Sequence, residues 1–277
     1  MHCPEPIWFW GFCLLTLMSQ QNSFTKVRNR FNGLTIILAM LGGVLVWQVI
    51  VLLLHLPAFI LPAPLLVWEK FISALSDGTL IRNFSATLLE VVSGLLAGTI
   101  LASLLGYLLA KSRLLEQVLS PFLVASQALP IVAIAPLLVI WFGPGIFSKV
   151  LICGLTVFFP ILVNTAVGVR AVPENLRDLM RSLRATRWQM LKHLEIPAAL
   201  PVLLAGLRIG ATLSVIGAVV GELVGADRGL GFLINVGRGQ YDTALVFVAV
   251  FTLMAMALAL YGLVILLEKK LLKWQLE

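Results

Sequence analysis

The amino-acid sequence predicts an all-α protein that crosses a membrane about six times. Of its 277 residues, 60% are hydrophobic and only 12% are charged, whereas a soluble domain is nearer half apolar and a quarter charged. In lipid a chain must satisfy its backbone groups internally, as helices or as a closed barrel. Barrel strands would alternate apolar and polar residues over roughly ten positions, so the continuous apolar runs of this chain favour helices.

Six membrane-spanning helices are predicted, at residues 33–54, 84–110, 119–142, 149–169, 199–221 and 244–267. Residues 1–30 are predicted to be an N-terminal extension, because their apolar run Ile7–Met18 is shorter than the roughly 20 residues that a spanning helix needs. The first span and an outer loop then occupy residues 31–83, a helical core occupies residues 84–268, and a tail follows at residues 269–277.

The distribution of lysine and arginine predicts the orientation of these spans. If the N-terminus is cytoplasmic, fourteen of the twenty cations fall on inner segments and five on outer segments. The remaining one, Arg208, lies inside a span. Because cytoplasmic loops carry the excess of positive charge, we predict a protein of the cell inner membrane with its N- and C-termini in the cytoplasm.

Two outer loops have distinct compositions. The sequence VWEKFISAL in the loop at residues 56–83 predicts a short helix that lies along the outer surface. The last outer loop, at residues 225–243, is rich in glycine and also carries charges. Glycine and charge at the mouth of a membrane protein suit a mobile gate or a docking surface, and an ordinary solvated loop is an equal alternative.

Glycines and prolines within the spans predict how the helices pack and bend. Small residues one turn apart allow two helix backbones to approach closely, and a proline inside a helix bends or locally unwinds it. The glycine pairs are Gly94 and Gly98, Gly206 and Gly210, and Gly217 and Gly221, and the prolines are Pro130, Pro136 and Pro160.

Three charged residues fall within predicted spans, and we consider Glu90, Arg208 and Glu222 candidates for a translocation path. A charge at mid-membrane costs about 2.5–3.5 kcal/mol on insertion scales, so these side chains should face the bundle interior or a watery cavity. Glu90 and Arg208 lie nearer opposite sides of the membrane, and a direct pair between them requires a kink or a tilt. Glu222 is expected at the outer end of its span, either beside water at the interface or rimming an entrance for solute.

Signatures of catalysis and of metal or nucleotide binding are missing. The chain lacks G-x-x-x-x-G-K-[ST] and G-x-S-x-G, and its three cysteines form no C-x-x-C pair. The net charge of +7 is explained by basic inner loops, so nucleic-acid binding is not expected. We therefore predict that the chain is not an enzyme and holds no metal or cofactor. Uphill transport would draw its energy from a partner or from an ion gradient.

The longest polar interruption, residues 170–197, lies between the fourth and fifth predicted spans, and we call it the elbow. It carries six lysines and arginines against three acidic residues. Its apolar residues recur at helical spacing, first at Leu176, Met180 and Leu183 and then at Trp188, Leu191 and Leu194. This pattern predicts short amphipathic helices with one basic face.

The elbow sequence ENLRDLMRSLRATRWQMLKHLEIPAALP resembles the cytoplasmic coupling loop of the permease subunits of bacterial ABC importers. The family pattern is E-A-A, three residues, Gly, nine residues and then I-x-L-P. Asp178-Leu179-Met180 corresponds to E-A-A, Arg184 replaces the Gly, and Leu194-Glu195-Ile196-Pro197 corresponds to the ending. Arg184 can fill the turn if its φ angle stays negative or if some strain is accepted.

The resemblance implies a type I ABC importer permease fold and a role for the elbow in coupling to an ATPase subunit. In that family, ATP is bound by the partner ATPase, an external solute-binding protein delivers the solute, and two permeases pair within the lipid. The positions that correspond to the coupling motif are Asp178, Leu179, Met180, Leu183, Arg184, Ala185, Trp188, Leu194 and Pro197. A surface helix held by anionic lipid is the alternative reading of the elbow.

The resemblance is closest to the branch that serves nitrate, sulfonates, taurine and thiamine precursors. Within that branch, TLLEV and GAVVGELVGADRGLGFLI resemble permeases for riboflavin or for the hydroxymethylpyrimidine precursor of thiamine. Riboflavin is the first expectation for the solute. An ion-coupled secondary transporter is the competing class, but it would need inverted repeats and broken helices at mid-membrane.

Overall fold

The computed structural model describes residues 33–55, 57–127 and 130–272. Every regular element in these ranges is helical, as the sequence predicts. The chain forms two units, residues 1–57 and 58–277. The first contains helix α1, and the other helices belong to the second. The predicted N-terminal extension at residues 1–30 lies outside the described residues.

The helices have the following bounds. They are α1 Gly33–Leu54, α2 Pro64–Ser76, α3 Thr79–Lys111, α4 Arg113–Gln127, α5 Ile131–Phe142, α6 Ile146–Arg170, α7 Glu174–Ser182, α8 Arg187–Met190, a π-helical turn Leu191–Glu195, α9 Ile196–Gly225, α10 Leu230–Gly239 and α11 Thr243–Leu271. Helix α2 contains the VWEKFISAL sequence, which confirms the helix predicted there.

Four helices of the described residues are long and apolar enough to cross a membrane, namely α3, α6, α11 and the continuous helix Arg187–Gly225. The apolar stretches in α1 and α5 are shorter. The span predicted over residues 119–142 consists of two helices, since α4 ends at Gln127 and α5 begins at Ile131, and the local unwinding expected at Pro130 is confirmed. Pro130 precedes α5 in an extended conformation, and a proline has no N–H to continue a helix. Pro136 and Pro160, in contrast, lie within uninterrupted helices.

Helix α6 lies at the centre of the second unit, and its main partners are α3 and α9. Glycine makes both contacts close. A Cβ atom on Gly98 of α3 would lie 2.7 Å from the carbonyl oxygen of Gly154. On the other side, a Cβ atom on Gly217 of α9 would lie 2.9 Å from the Cα atom of Cys153. The predicted close approach of the Gly-x3-Gly pairs is therefore confirmed.

Apolar clusters fill the spaces that these contacts leave. Towards the elbow, Ala102 and Leu109 of α3 pack on Val157 and Ile161 of α6. At the opposite end, which we call the far end, α5, α6 and α9 meet in a second cluster. Its buried members are Ala135, Leu138, Ile152 and Val220. The outward faces of α3 and α11 are also apolar but exposed, for example at Leu104 and Leu258.

The elbow is directly connected to two helices of the bundle. Helix α6 ends at Arg170, and α7 begins after a short turn. Helix α8 continues through the π-helical turn into α9, so that residues 187–225 form one helix. The predicted fifth span, residues 199–221, lies within this longer helix, because the second half of the elbow continues directly into it. The short amphipathic helices predicted in the elbow are confirmed as α7 and α8.

The predicted last outer loop, residues 225–243, is largely a helix. Helix α10 spans Leu230–Gly239 within it, and Leu230, Leu233 and Gly237 are buried. The alternative of an ordinary solvated loop is therefore wrong for this segment. Three of its glycines, Gly229, Gly231 and Gly237, pack closely against residues of α9 or α11.

Candidate functional site

The first half of the elbow carries exposed charges that pair with one another. Arg181 donates hydrogen bonds to Glu174 at 3.1 Å and to Asp178 at 2.8 Å. All three side chains are exposed. Exposed ion pairs contribute at most about 1 kcal/mol, so these residues are available for pairing with another protein at little cost.

The turn between α7 and α8 is strained at Arg184. Its φ angle is +53°, in the left-handed region where glycine is normally found. The N–H of Ala185 donates to the carbonyl of Met180 at 3.0 Å, and the N–H of Arg184 donates to that of Arg181 at 2.9 Å. These two bonds form a Schellman motif, in which glycine is the usual residue at the position of Arg184. Of the two predicted ways of filling this turn, the protein uses the strained one.

The start of α8 is fixed by a capping box. Thr186 accepts a hydrogen bond from the backbone N–H of Gln189, and the Gln189 side chain accepts one from the N–H of Thr186. This reciprocal pair satisfies two backbone donors that the first turn would otherwise leave free. The strained turn and the cap together set the angle between α7 and α8.

The elbow leaves an apolar face uncovered. Leu183 and Trp188 are each 69% exposed, and Leu179 is 55% exposed. Met180, Ala185, Leu194 and Pro197 are half-buried against the elbow and the bundle. Large exposed side chains rimmed by polar ones mark interaction sites. The arrangement is suited to insertion into an apolar groove whose rim carries compensating charges.

Polar contacts attach the elbow to the bundle, and the most buried of them involve Glu195. Glu195, in the π-helical turn, is 1% exposed. It accepts hydrogen bonds from the Tyr107 hydroxyl at 3.0 Å and from Lys111. Arg170 donates to the carbonyl of Leu109 at 2.9 Å and forms an ion pair with Glu116.

Glu195 was not among the candidate residues of the sequence. The sequence indicates its burial only through its position one turn after Leu191, on the apolar side of an amphipathic segment. A charged side chain at such a position needs a partner.

The charged residues within the predicted spans do not pair as the sequence allowed. Glu90 forms an ion pair with Lys149 at 3.4 Å, and both residues are buried. Arg208 forms an ion pair with Glu268 of α11 at 2.5 Å. A Glu90–Arg208 pair is therefore excluded, because the two residues lie towards opposite ends of the bundle. Lys149 is one of the five cations assigned to outer segments from the sequence, but it lies within α6 and pairs with Glu90.

Glu222 joins three helices at the far end. It is fully buried, so the prediction that it lies beside water is wrong. Its carboxylate accepts hydrogen bonds from the Thr87 hydroxyl at 2.6 Å and from the N–H of Gly231 at 2.5 Å. Thr87 in turn accepts from the N–H of Leu230 at 2.8 Å. Helices α3, α9 and α10 are thus linked through one carboxylate.

The spacing of glycines in the ADRGLGFLI segment is explained by this contact. Gly229 has a φ angle of +121°, and a Cβ atom there would overlap the Glu222 carboxylate. A Cβ atom on Gly231 would lie 2.8 Å from the Cβ atom of Glu222. Both glycines therefore allow the backbone of α10 to reach the carboxylate.

A cleft of about 540 Å³ opens at the far end beside Glu90 and Lys149. Charges of both signs line it, since Arg82, Arg228 and Asp227 also belong to its walls. Neither Arg208 nor Glu222 lines this cleft. Among the described residues, no group of three His, Cys, Asp or Glu side chains is arranged to hold a metal ion.

Comparisons with known proteins identify relatives over most of the chain. Residues 94–273 match the family described as binding-protein-dependent transport system inner membrane component. The riboflavin transport system permease protein RibX of Chloroflexus aurantiacus is 49% identical over 229 residues, which cover 83% of this chain and 85% of that protein. The formylaminopyrimidine transport permease protein ThiX of Halalkalibacterium halodurans is 36% identical, with 83% and 91% covered. The taurine transport system permease protein TauC of Escherichia coli is 34% identical, with 83% and 86% covered.

Solved structures share the fold at low sequence identity. The MetNI methionine ABC transporter in inward facing conformations aligns with a TM-score of 0.62 at 18% identity, covering 71% of this chain and 97% of that one. An amino acid ABC transporter crystallised with histidines aligns with a TM-score of 0.53 at 19% identity, covering 73% and 96%. These alignments confirm the predicted permease fold.

The strained turn predicts that Arg184→Gly stabilises α7 locally. The left-handed conformation costs a non-glycine residue about 1–2 kcal/mol, which the substitution would relieve. Glycine also loses more conformational entropy on folding, and this offsets about 0.5–1 kcal/mol of the gain. Hydrogen exchange of the α7 amides should therefore slow by about two- to fivefold. Tyr241→Gly should slow exchange in α10 in the same way, because Tyr241 has a φ angle of +57° in an equivalent turn. Arg181→Gly, inside α7, should speed exchange, and slower exchange in that variant would contradict the strain argument.

The Glu222 contact predicts that Thr87→Val lowers the free energy of unfolding by about 1–3 kcal/mol. The substitution keeps the side-chain shape but leaves buried groups without a hydrogen-bond partner. Thr99→Val on the same helix is the matched control, since the Thr99 hydroxyl is buried without a partner among the described residues. That variant should be neutral or slightly stabilised. Equal melting temperatures of the two variants in detergent would contradict the role given to Thr87.

Proposed function

Since the chain belongs to the family of binding-protein-dependent transport system inner membrane components and is a permease subunit of an ABC importer, we propose that its solute is riboflavin, delivered by an external binding protein. The relatives are transport permeases, so the chain is a transport subunit and not an enzyme. The identity of 49% to the riboflavin permease, against 36% and 34% to the pyrimidine and taurine permeases, supports riboflavin.

The uncovered apolar face of the elbow is the surface through which the permease would contact its ATPase subunit. We propose that this face inserts into a groove of the ATPase subunit and that Asp178, Arg181 and Arg184 pair with charges on its rim. Leu183 and Trp188 would then fill the groove, because they are the most exposed apolar side chains of the elbow. Closure of the ATPase on binding ATP would displace the elbow and, with it, the spanning helices.

The assembly that we propose has two copies of the permease around a central path in the inner membrane. The elbow and both termini face the cytoplasm, in keeping with the lysine and arginine distribution. Exposed apolar residues on α3 and α11 face lipid. An ion-coupled secondary transporter is disfavoured, because permeases of this family operate with an ATPase and a binding protein.

Of the three charged residues first considered for the path, Glu90 remains the best candidate. It lines the far-end cleft with Lys149, Arg82 and Arg228, and charges of both signs suit a solute that forms many hydrogen bonds. Glu222 instead holds α10 against α3, and Arg208 is neutralised by Glu268. We propose that these last two residues support the path without contacting solute.

The elbow proposal predicts that Leu183→Arg releases the ATPase. A cation in an apolar groove loses its hydration without a partner, so co-purification of the ATPase with the permease should fall at least tenfold while membrane insertion is unchanged. Tyr241→Arg is the matched control, because Tyr241 is 78% exposed but lies at the far end. Unchanged co-purification of the Leu183→Arg variant would overturn the assignment of the elbow.

The solute proposal predicts ATP-dependent uptake of labelled riboflavin by proteoliposomes that contain the permease, its ATPase and its binding protein. Unlabelled riboflavin should compete, and taurine should not. Uptake of labelled formylaminopyrimidine without any uptake of labelled riboflavin would assign the chain to the pyrimidine group instead. Uptake driven by a proton or sodium gradient in the absence of ATP would contradict the ATP-driven mechanism.

A further inference from the structure

The elbow and α3 are distant in sequence but joined by a cluster around one buried carboxylate. Glu195 and Lys111 are separated by 84 positions, and no short turn connects their helices. Tyr107, Lys111 and Glu195 nevertheless meet where the elbow enters the bundle. We call these three residues the brace.

The two oxygens of the Glu195 carboxylate have separate partners. The Tyr107 hydroxyl donates to Oε2 at 3.0 Å, and the Lys111 ammonium group donates to Oε1. The same ammonium group lies 5.5 Å from the centre of the Tyr107 ring, within the range of a cation–π contact. Glu195 is 1% exposed, whereas the Lys111 side chain is 38% exposed. A buried carboxylate with an ion-pair partner is held firmly, because losing the Lys111 ammonium group would leave its charge with only the Tyr107 hydroxyl as a partner.

The brace acts at the π-helical turn, which is the irregular point of the helix at residues 187–225. The N–H of Ile196 bonds to the carbonyl of Leu191 in the wider π pattern, and such turns interrupt α-helices at functional sites. Glu195 is the last residue of this turn. A helix that is pushed at α8 would bend first at this irregular turn unless another helix held it.

Helix α3 is a rigid support for that purpose. Gly98 and Gly106 place its backbone directly against α6, where added Cβ atoms would lie 2.7 Å from the carbonyl oxygens of Gly154 and Leu162. Arg170 at the end of α6 also donates to the carbonyl of Leu109 on α3. The end of α3 is therefore fixed to the bundle close to the brace.

We propose that the Tyr107–Lys111–Glu195 brace stiffens the π-helical turn against α3, so that a displacement of the elbow moves the spanning helices instead of bending the chain at residues 191–195. Glu195 is a positioning residue in this scheme and touches neither solute nor nucleotide. The inference rests on the proposed docking of the elbow to an ATPase subunit.

The test compares movement of the elbow with movement of the bundle. Spin labels are attached at Arg187→Cys in α8 or at Leu104→Cys on the exposed face of α3, one site per permease, in a background with Cys3 and Cys13 replaced by serine. Cys153 is buried and can remain. Distances between the labels of paired subunits are measured in the reconstituted transporter with and without a non-hydrolysable ATP analogue.

In the otherwise native protein, both label pairs should shift when the nucleotide binds. In Lys111→Met and in Glu195→Gln, the elbow labels should shift as before, while the shift of the α3 labels should fall to less than half. Lys111→Arg keeps the positive charge and should restore the shift. Glu116→Gln breaks the exposed Arg170–Glu116 pair nearby and should leave both shifts unchanged.

An undiminished α3 shift in both brace variants would overturn the proposal, even if those variants melt at lower temperature, because the cluster would then be structural only. A different failure would indicate an error in the proposed function. If the distance between the elbow labels of the native protein does not change with nucleotide although the ATPase is bound, the proposed docking of the elbow is wrong. That result would not bear on the contacts of the brace.

Discussion

The close packing of α3 and α9 against α6 is the contact on which the rest of the second unit depends. Lipid provides little hydrophobic driving force between helices, so association depends on short-range contacts between backbones. Glycine on α3 and α9 meets the backbone of α6 around Cys153 and Gly154, and larger residues would hold the helices apart. Once these backbones are in contact, the polar side chains near both ends of the helices are brought within reach of one another.

Two buried carboxylates, one at each end of the bundle, then hold helical elements together. At the far end, Glu222 holds α10 against α3 and α9 through Thr87 and Gly231. At the elbow end, Glu195 holds the π-helical turn against α3 through Tyr107 and Lys111. Each carboxylate has two donors, which compensates for the cost of removing its charge from water. The elbow surface beyond this point is left exposed, and its apolar side chains remain free to contact a second protein.

The sequence was a reliable guide where the signal is local. Apolar runs predicted helices, alternating charges and leucines predicted α7 and α8, and the glycine pairs predicted close packing. The place of Arg184 in the motif predicted a turn that favours glycine, and its φ angle of +53° agrees with the strained alternative. Pro130 interrupts the predicted third span, as a proline there was expected to do. The error concerns a continuation, because α8 runs on into α9 where the polarity of the elbow had indicated a separate segment.

The sequence by itself determined the class of the protein, its apolar segments and the elbow, because these depend on composition and on spacing within one segment. The tertiary structure alone decided which charges meet. Glu90 pairs with Lys149, and Arg208 pairs with Glu268, because the rotation and height of each helix are set by its packing on α6. It also decided that Glu195 is buried, since an amphipathic pattern distinguishes two faces of a helix but does not show which neighbouring helix will cover one of them.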